Sequence, residues 1–333
     1  MSWSRWPSVA LAVVALGAAA RAGVAEEVRR AVALGYDQQY DSAWQVIHRV
    51  PAADSLAPLV AFWRAALVQM LLYDSGDPAL VDSFYRTSER AVEVCRARLR
   101  QCPDDAHAHM FEGLIRLNRA NTLGWQRDYL RAFLALGSSS RSLSRAVGLD
   151  PGLHDAWFGM GAVEYFRSVA DRYVGGIGIF GSRSKAHHYI ARARAGPGWL
   201  GNARAFVLAY IQRDEGDPAA AVATCREVLA AHPGNRTGLK LLRDSHLSAG
   251  QYREALALVQ VIDSSIRRDF PRNRYGLAEN RLVAMKAWDG LARRDSALHC
   301  AGQIVAWERY ERETPWLASY VAEARRYRRR WTR

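Results

Sequence analysis

The string best suited to chemistry is Gly176-Ile177-Gly178-Ile179-Phe180-Gly181, a GxGxxG sequence followed by Ser182, Arg183 and Lys185. Such glycines let a backbone close on a pyrophosphate when the string follows a strand, opens a helix and has an acid about 20 residues further on. Here Trp157 to Tyr173 has the apolar spacing of a helix, so that context is missing. Gly181-Ser182-Arg183 also stands where a phosphate loop has Gly-Lys-Ser/Thr. Ser182 suits a helix N-cap, and Arg183 and Lys185 would make that N-terminus attractive to an anion. His107 and His109 are two apart and His187 and His188 are adjacent, and neither spacing puts two imidazoles on one helix face. Glu112 and Glu164 sit alone among apolar neighbours. HExxH and GxSxG strings are absent. No nucleophile, base and oxyanion donor converge, so the residues predict no catalytic site, no metal and no cofactor.

The positions of Cys95, Cys102, Cys225 and Cys300 predict free thiols. Cys95 and Cys102 share a helix face, but a rise of about 10 Å separates them, beyond disulfide reach. Cys225 and Cys300 fall on the apolar faces of two different helices, where cysteine acts as a small hydrophobe. The formal charge is +13, nearly all of it arginine, with Lys185, Lys240 and Lys286 the lysines. That charge favours anionic partners. At the start, Arg5, the apolar run Val9 to Ala20 and Ala20-Arg21-Ala22 read as a secretory leader, too short for a permanent span. The chain is thus expected in the periplasm or outside the cell. Cleavage after Ala22 would leave 13 − 2 = +11.

The chain repeats itself. Asn202 to Asn235 aligns without gaps on Arg236 to Asp269: Leu208 on Leu242, Gly216 on Gly250, Ala221 on Ala255, Cys225 on Val259 and Val228 on Ile262. The offset is 34 residues. Each unit reads as helix, glycine turn, helix, with apolar residues three and four apart. Gly216-Asp217-Pro218 ends one helix and starts the next. Upstream, Trp157-x-x-Met160-Gly161 opens another unit, with Ala186 as the small residue of its second helix. Earlier pairs are read at Glu26 to Pro51, Leu56 to Pro103 and Ala106 to Pro151, with Ala43 and Gly113 in small-residue positions. A last pair covers Arg274 to Trp307, with Ala297 small, and Pro315 to Arg330 reads as a capping helix. The irregular units are expected to differ from the period by long inserts between their two helices.

These residues resemble the tetratricopeptide repeat (TPR) family: the 34-residue period, the W-x-x-M-G string and the closing Pro233. Ala156 to Gln260 is also similar to the Iml2/TPR39 class in its aromatic helix, Gly-rich insert and regular repeat. The resemblance implies an all-α, right-handed superhelical solenoid of helix-turn-helix pairs. The organisation is then a leader at 1–22, degenerate pairs at 23–151, and the best-matching units at 152–269 with an insert at 174–184. A final pair and a basic cap follow at 270–333. It also implies a scaffold whose concave groove, lined by first helices, binds a protein or peptide segment. Carried onto this sequence, the groove face is Phe158, Tyr165, Phe166, Phe206, Tyr210, Arg213, Lys240 and Asp244. The Arg-rich end, Arg325 to Arg333, suits an anionic envelope polymer or membrane surface instead; export makes nucleic acid a poor partner. Mass spectrometry of the mature protein should find an N-terminus at Gly23, or at Glu26 if Gly23-Val24-Ala25 serves as the second-choice site. A retained Met1 would remove the leader.

Overall fold

A computed structural model describes residues 22–51, 54–171, 181–193, 196 and 198–331. They form helices and turns, with no strand among them. The helices are α1 (22–36), α2 (Tyr40–Arg49), α3 (Ala57–Ser75), α4 (Ala79–Gln101), α5 (Ala106–Trp125) and α6 (Tyr129–Leu149). They continue as α7 (His154–Asp171), α8 (Arg183–Ala193), α9 (Asn202–Asp214), α10 (Pro218–Ala231) and α11 (Arg236–Ser248). The chain ends in α12 (Tyr252–Asp269), α13 (Arg274–Gly290), α14 (Arg294–Ala306) and α15 (Leu317–Trp331). The leader lies outside the described residues, as do residues 172–180, which hold most of the GxGxxG string. No described helix is long and apolar enough to cross a membrane.

The helices start where the sequence supplies caps. Asp105, Asp128, Asp217, Asn235 and Asn273 each accept a hydrogen bond from a backbone N–H in the first turn of the following helix. Pro218 occupies the first position of α10, where its missing N–H costs nothing. From α3 to α14, each odd-numbered helix packs on the next even one. The small residues make that contact close: Ala43, Ala186, Ala221, Ala255 and Ala297 are fully buried. A methyl on Gly113 would stand 2.6 Å from Leu143 of α6. Large-to-small patterning therefore sets the pairing, and pairing sets the layers.

The expected inserts are not where the extra length lies. α3 and α4 are joined by Gly76, Asp77 and Pro78, α5 and α6 by Gln126, Arg127 and Asp128, and α13 and α14 by Leu291, Ala292 and Arg293. Instead the helices are longer: α4 has 23 residues and α6 has 21, against 13 and 14 in α9 and α10. Added turns extend the buried stripe without exposing backbone polar groups, which a loop would have to satisfy. The α7–α8 pair is the exception.

Successive odd-numbered helices touch one another, α3 with α5, α5 with α7, α9 with α11, α11 with α13 and α13 with α15, while even-numbered helices stay further apart. The stack therefore curves with odd helices inside. It curves far enough to meet itself. The last residues of α1, α3 and α5 lie against the first residues of α11, α13 and α15, ten helices later. Asn235 Nδ2 donates to the Tyr36 carbonyl at 2.7 Å and Asn273 Nδ2 donates to the Asp74 carbonyl at 2.9 Å. The Oδ1 atoms of the same two side chains accept from Gly238 and Gly276. Each Asn thus caps its own helix and ties down the end of a helix one turn away. Beside them, buried Arg236 makes two 2.5 Å hydrogen bonds to buried Asp74. Trp125 donates through Nε1 to Tyr275 Oη at 2.8 Å and packs at a tilt on Trp316, ring centroids 4.1 Å apart. Helix C-termini face helix N-termini, so the macrodipoles run head to tail across this seam.

Gly76 belongs to the seam. It has φ 62° at the end of α3, and a Cβ there would lie 2.5 Å from Asn273 Oδ1. Gly216 also has a positive φ, 89°, but nothing lies within 4 Å of its Cβ position. Either glycine changed to alanine strains a left-handed residue by about 1–2 kcal/mol. Gly76→Ala should be the worse of the two in urea titration, by about 1 kcal/mol or more, since it also displaces a buried side chain holding two hydrogen bonds.

Candidate functional site

The inner layer carries the residues expected to bind. Tyr165 and Phe166 of α7 meet Tyr210 of α9, with ring centroids 6.5 and 6.1 Å from Tyr210. Tyr165 is fully buried, and its hydroxyl donates to Asp214 Oδ2 at 2.5 Å. Burial and the Asp214 carboxylate push its pKa well above the usual tyrosine value. Phe166 and Tyr210 are half-buried. The Arg213 guanidinium lies 5.4 Å from the Tyr210 ring centroid.

A ladder of charges continues from there across three neighbouring inner helices. Arg213 of α9 donates to Asp244 of α11 at 3.0 Å. Asp244 also accepts from Arg243 at 2.8 Å, and Arg243, fully buried, donates to Asn280 of α13 at 2.6 Å. Lys240 pairs with Glu279 of α13 at 3.0 Å. Burial alone would raise the Glu279 pKa, but Lys240 and Arg243 outweigh it and hold the carboxyl below its usual range. Burial disfavours the Arg243 cation, and Asp244 and Glu279 more than offset that. These side chains alternate in sign, so each charge removed from water faces its opposite.

Two of the expected residues lie apart from this row. Phe158 is 4 % exposed and belongs to the main hydrophobic core. Phe206 is half-buried and packs edge-on against Tyr36 of α1, with centroids 5.9 Å apart. The structure thus brings together Tyr165, Phe166, Tyr210, Arg213, Lys240 and Asp244. Glu112 is buried under Arg96, Arg116 and Ser142, and Glu164 accepts from the Ser182 N–H, so both acids serve packing. The four cysteines are free. Burial pushes the Cys95 thiol up to about 12.

Sequence reasoning missed the seam and the ladder partner Glu279. A signal for the seam existed: Pro233-Gly234-Asn235-Arg236-Thr237-Gly238 and Pro271-Arg272-Asn273-Arg274-Tyr275-Gly276 share P-x-N-R-x-G. The asparagine in each is the double cap, and the glycine donates the N–H it accepts.

Residues 212–279 match the family model described as Tetratricopeptide repeat. This stretch of the chain carries tetratricopeptide repeats. The match runs from the end of α9 to the middle of α13 and includes both seam asparagines and most of the charge ladder. No curated protein matches the chain. Among solved structures, it is similar to PilW, a widely conserved type IV pilus biogenesis factor. That alignment has 17 % identity, covers 77 % of this chain and 97 % of that one, and gives a TM-score of 0.47. It is also similar to a chain of the APC/C hetero-tetramer Cut9-Hcn1, with 13 % identity, 88 % of this chain, 65 % of that chain and a TM-score of 0.40.

The ladder carries a pH dependence. Glu279 has a lower pKa folded than unfolded, so the unfolded state binds its proton first. Its contribution is complete above the ordinary glutamate pKa of the unfolded chain and is lost as pH falls through the lowered folded value. Stability measured by urea titration should therefore drop as pH falls from the ordinary glutamate range into more acid solution. Glu279→Gln should be less stable than wild type at pH 7 and show a shallower acid loss.

Proposed function

We propose that this protein is an exported TPR scaffold, without catalytic activity, that binds a protein or peptide segment along its inner face. The observation that carries the reading is the row of Phe166, Tyr210 and Arg213 leading into Lys240 and Asp244. It sits on neighbouring inner helices, and each of these side chains keeps part of its surface in contact with solvent. Aromatic rings and arginine are the residues on which binding energy concentrates. The charged pairs beyond them alternate in sign, which suits a segment with mixed charge and sets its register rather than its affinity. The leader at 1–22 supports a periplasmic or secreted location. Tyr165 supports the face from beneath, packed against Phe166 and Tyr210.

A second reading has one specific observation behind it. Arg325, Arg326, Arg328, Arg329 and Arg330 are exposed along α15. That favours an anionic envelope polymer or lipid surface, whose contact would weaken steeply with salt.

Photocrosslinking separates the readings. A photoreactive residue at Tyr210 should capture a discrete band in an envelope fraction, and one at Arg226 on the outer face should not. Tyr210→Ala with Arg213→Ala should weaken capture of that species by about 1–2 kcal/mol for each side chain. The double variant loses the half-buried Arg213–Asp244 pair, so stability should fall by about 1 kcal/mol or less. Ala221→Trp, which overfills a helix contact, should instead damage folding itself. A double variant that melts normally and is captured at full strength would rule out this face.

A further inference from the structure

We propose that the outer face of α6 and α8 docks this protein on an anionic lipid bilayer. Five large apolar side chains are exposed among the described residues. The three most exposed stand together on the first two turns of α6: Leu130 at 73 %, Tyr129 at 67 % and Leu134 at 64 %. Half-buried Phe133 extends the cluster. Apolar residues scattered singly need no partner, but a grouped patch marks a contact surface. At about 100° per residue, Leu130 and Leu134 share a sector of about 60° with exposed Arg141 and Arg145. One stripe of α6 therefore carries leucines at its start and arginines further along.

The charge around the patch decides the partner. α6 and α8 contain no Asp or Glu, whereas every other even-numbered helix carries at least one. They do contain Arg131, Arg141, Arg145, Arg183, Lys185 and Arg192. The last turns of α7 bring the starts of the two helices together. Arg167 of α7 lies 5.9 Å from the Phe133 ring centroid of α6, and Glu164 of α7 accepts from the Ser182 N–H, just before α8, at 3.1 Å. The nearby acids are already engaged: Asp104 with Arg145, Asp128 with Arg131, Asp214 with Arg183 and Glu215 with His187. Arg127, Arg141 and Lys185 are exposed and form no ion pair among the described residues.

An anionic bilayer answers both features. A helix with an apolar stripe and basic neighbours lies in the plane of the interface, with its apolar side chains at the acyl boundary. Tyrosine favours the headgroup level. Arginine and lysine close to an anionic leaflet add attraction that fades within a Debye length. A second copy of the same face would set like charge against like, which opposes self-association through it. The face is separate from the inner row at Tyr210 and from the arginines of α15, so it stands whether or not those bind.

Flotation of the full mature chain with vesicles tests the proposal. The protein should float with vesicles of equal parts phosphatidylglycerol and phosphatidylcholine, and should bind pure phosphatidylcholine about tenfold more weakly or worse. Leu130→Ser with Leu134→Ser should lower partitioning onto the anionic vesicles about tenfold or more. Both side chains are exposed, so this variant should melt as wild type does. Arg326→Gln with Arg329→Gln on α15 should lower partitioning less than the leucine pair does. The thiol introduced by Leu134→Cys should react with a water-soluble maleimide in buffer and be protected by anionic vesicles, read by peptide mass spectrometry. Absence of flotation, or flotation that the leucine pair leaves unchanged, would overturn the proposal. So would a larger loss in the α15 pair than in the leucine pair. A thiol already protected in buffer would also overturn it, because another part of the chain or a second copy would then cover the patch.

Discussion

The fold depends on one contact made twice: an asparagine at a helix N-terminus that reaches back to the last carbonyls of a helix in the turn beneath. Asn235 does this to Tyr36, and Asn273 to Asp74. A solenoid is ordinarily held by neighbours alone, so its stability is nearly a sum over adjacent pairs. Here each asparagine satisfies a donor of its own helix and an acceptor 199 residues away. Arg236 and Asp74 add a buried charge pair at the same place. The early pairs and the late pairs are therefore coupled, and a change at α3 is felt at α11 and α13.

That coupling shapes what the inner layer can do. In an open superhelix the inner helices face solvent. Here Tyr165, Arg243 and Tyr275 are buried, and the charges around them are paired with one another. A buried ion pair adds little net stability but is expensive to break by removing one partner. The ladder from Arg213 to Glu279 therefore fixes the relative position of α9, α11 and α13 more than it strengthens them. Phe166 and Tyr210 keep partial exposure at its end, on a frame that is held still. A rigid frame lowers the ordering cost of binding.

Much of this was legible in the sequence, and for a physical reason. Helix pairing is local: the 34-residue period, the glycine turns and the buried alanines at 43, 186, 221, 255 and 297 all reflect contacts between adjacent helices. The capping helix at the C-terminus was readable from Pro315 and the periodicity after it. The extra length of α4 and α6 was misplaced into loops because a lengthened helix and an insert both shift the period. The seam was not readable, since it joins residues whose spacing is set by the curvature of the whole stack. Phe206 shows the same limit. Its position in the repeat marks it for the groove, yet it packs on Tyr36, a contact that exists only because the turns meet.

The central claim is that the two turns touch, and a double-mutant cycle on Asp74 and Arg236 tests it most directly. These residues are 162 positions apart, and they are in contact only if the superhelix closes on itself. The account predicts that Asp74→Ala and Arg236→Ala are each strongly destabilising in urea titration. Together they should cost less than their sum, with a coupling of about 1–3 kcal/mol. Additivity within about 0.5 kcal/mol would mean that the residues do not meet in solution, and the closed superhelix would have to be given up.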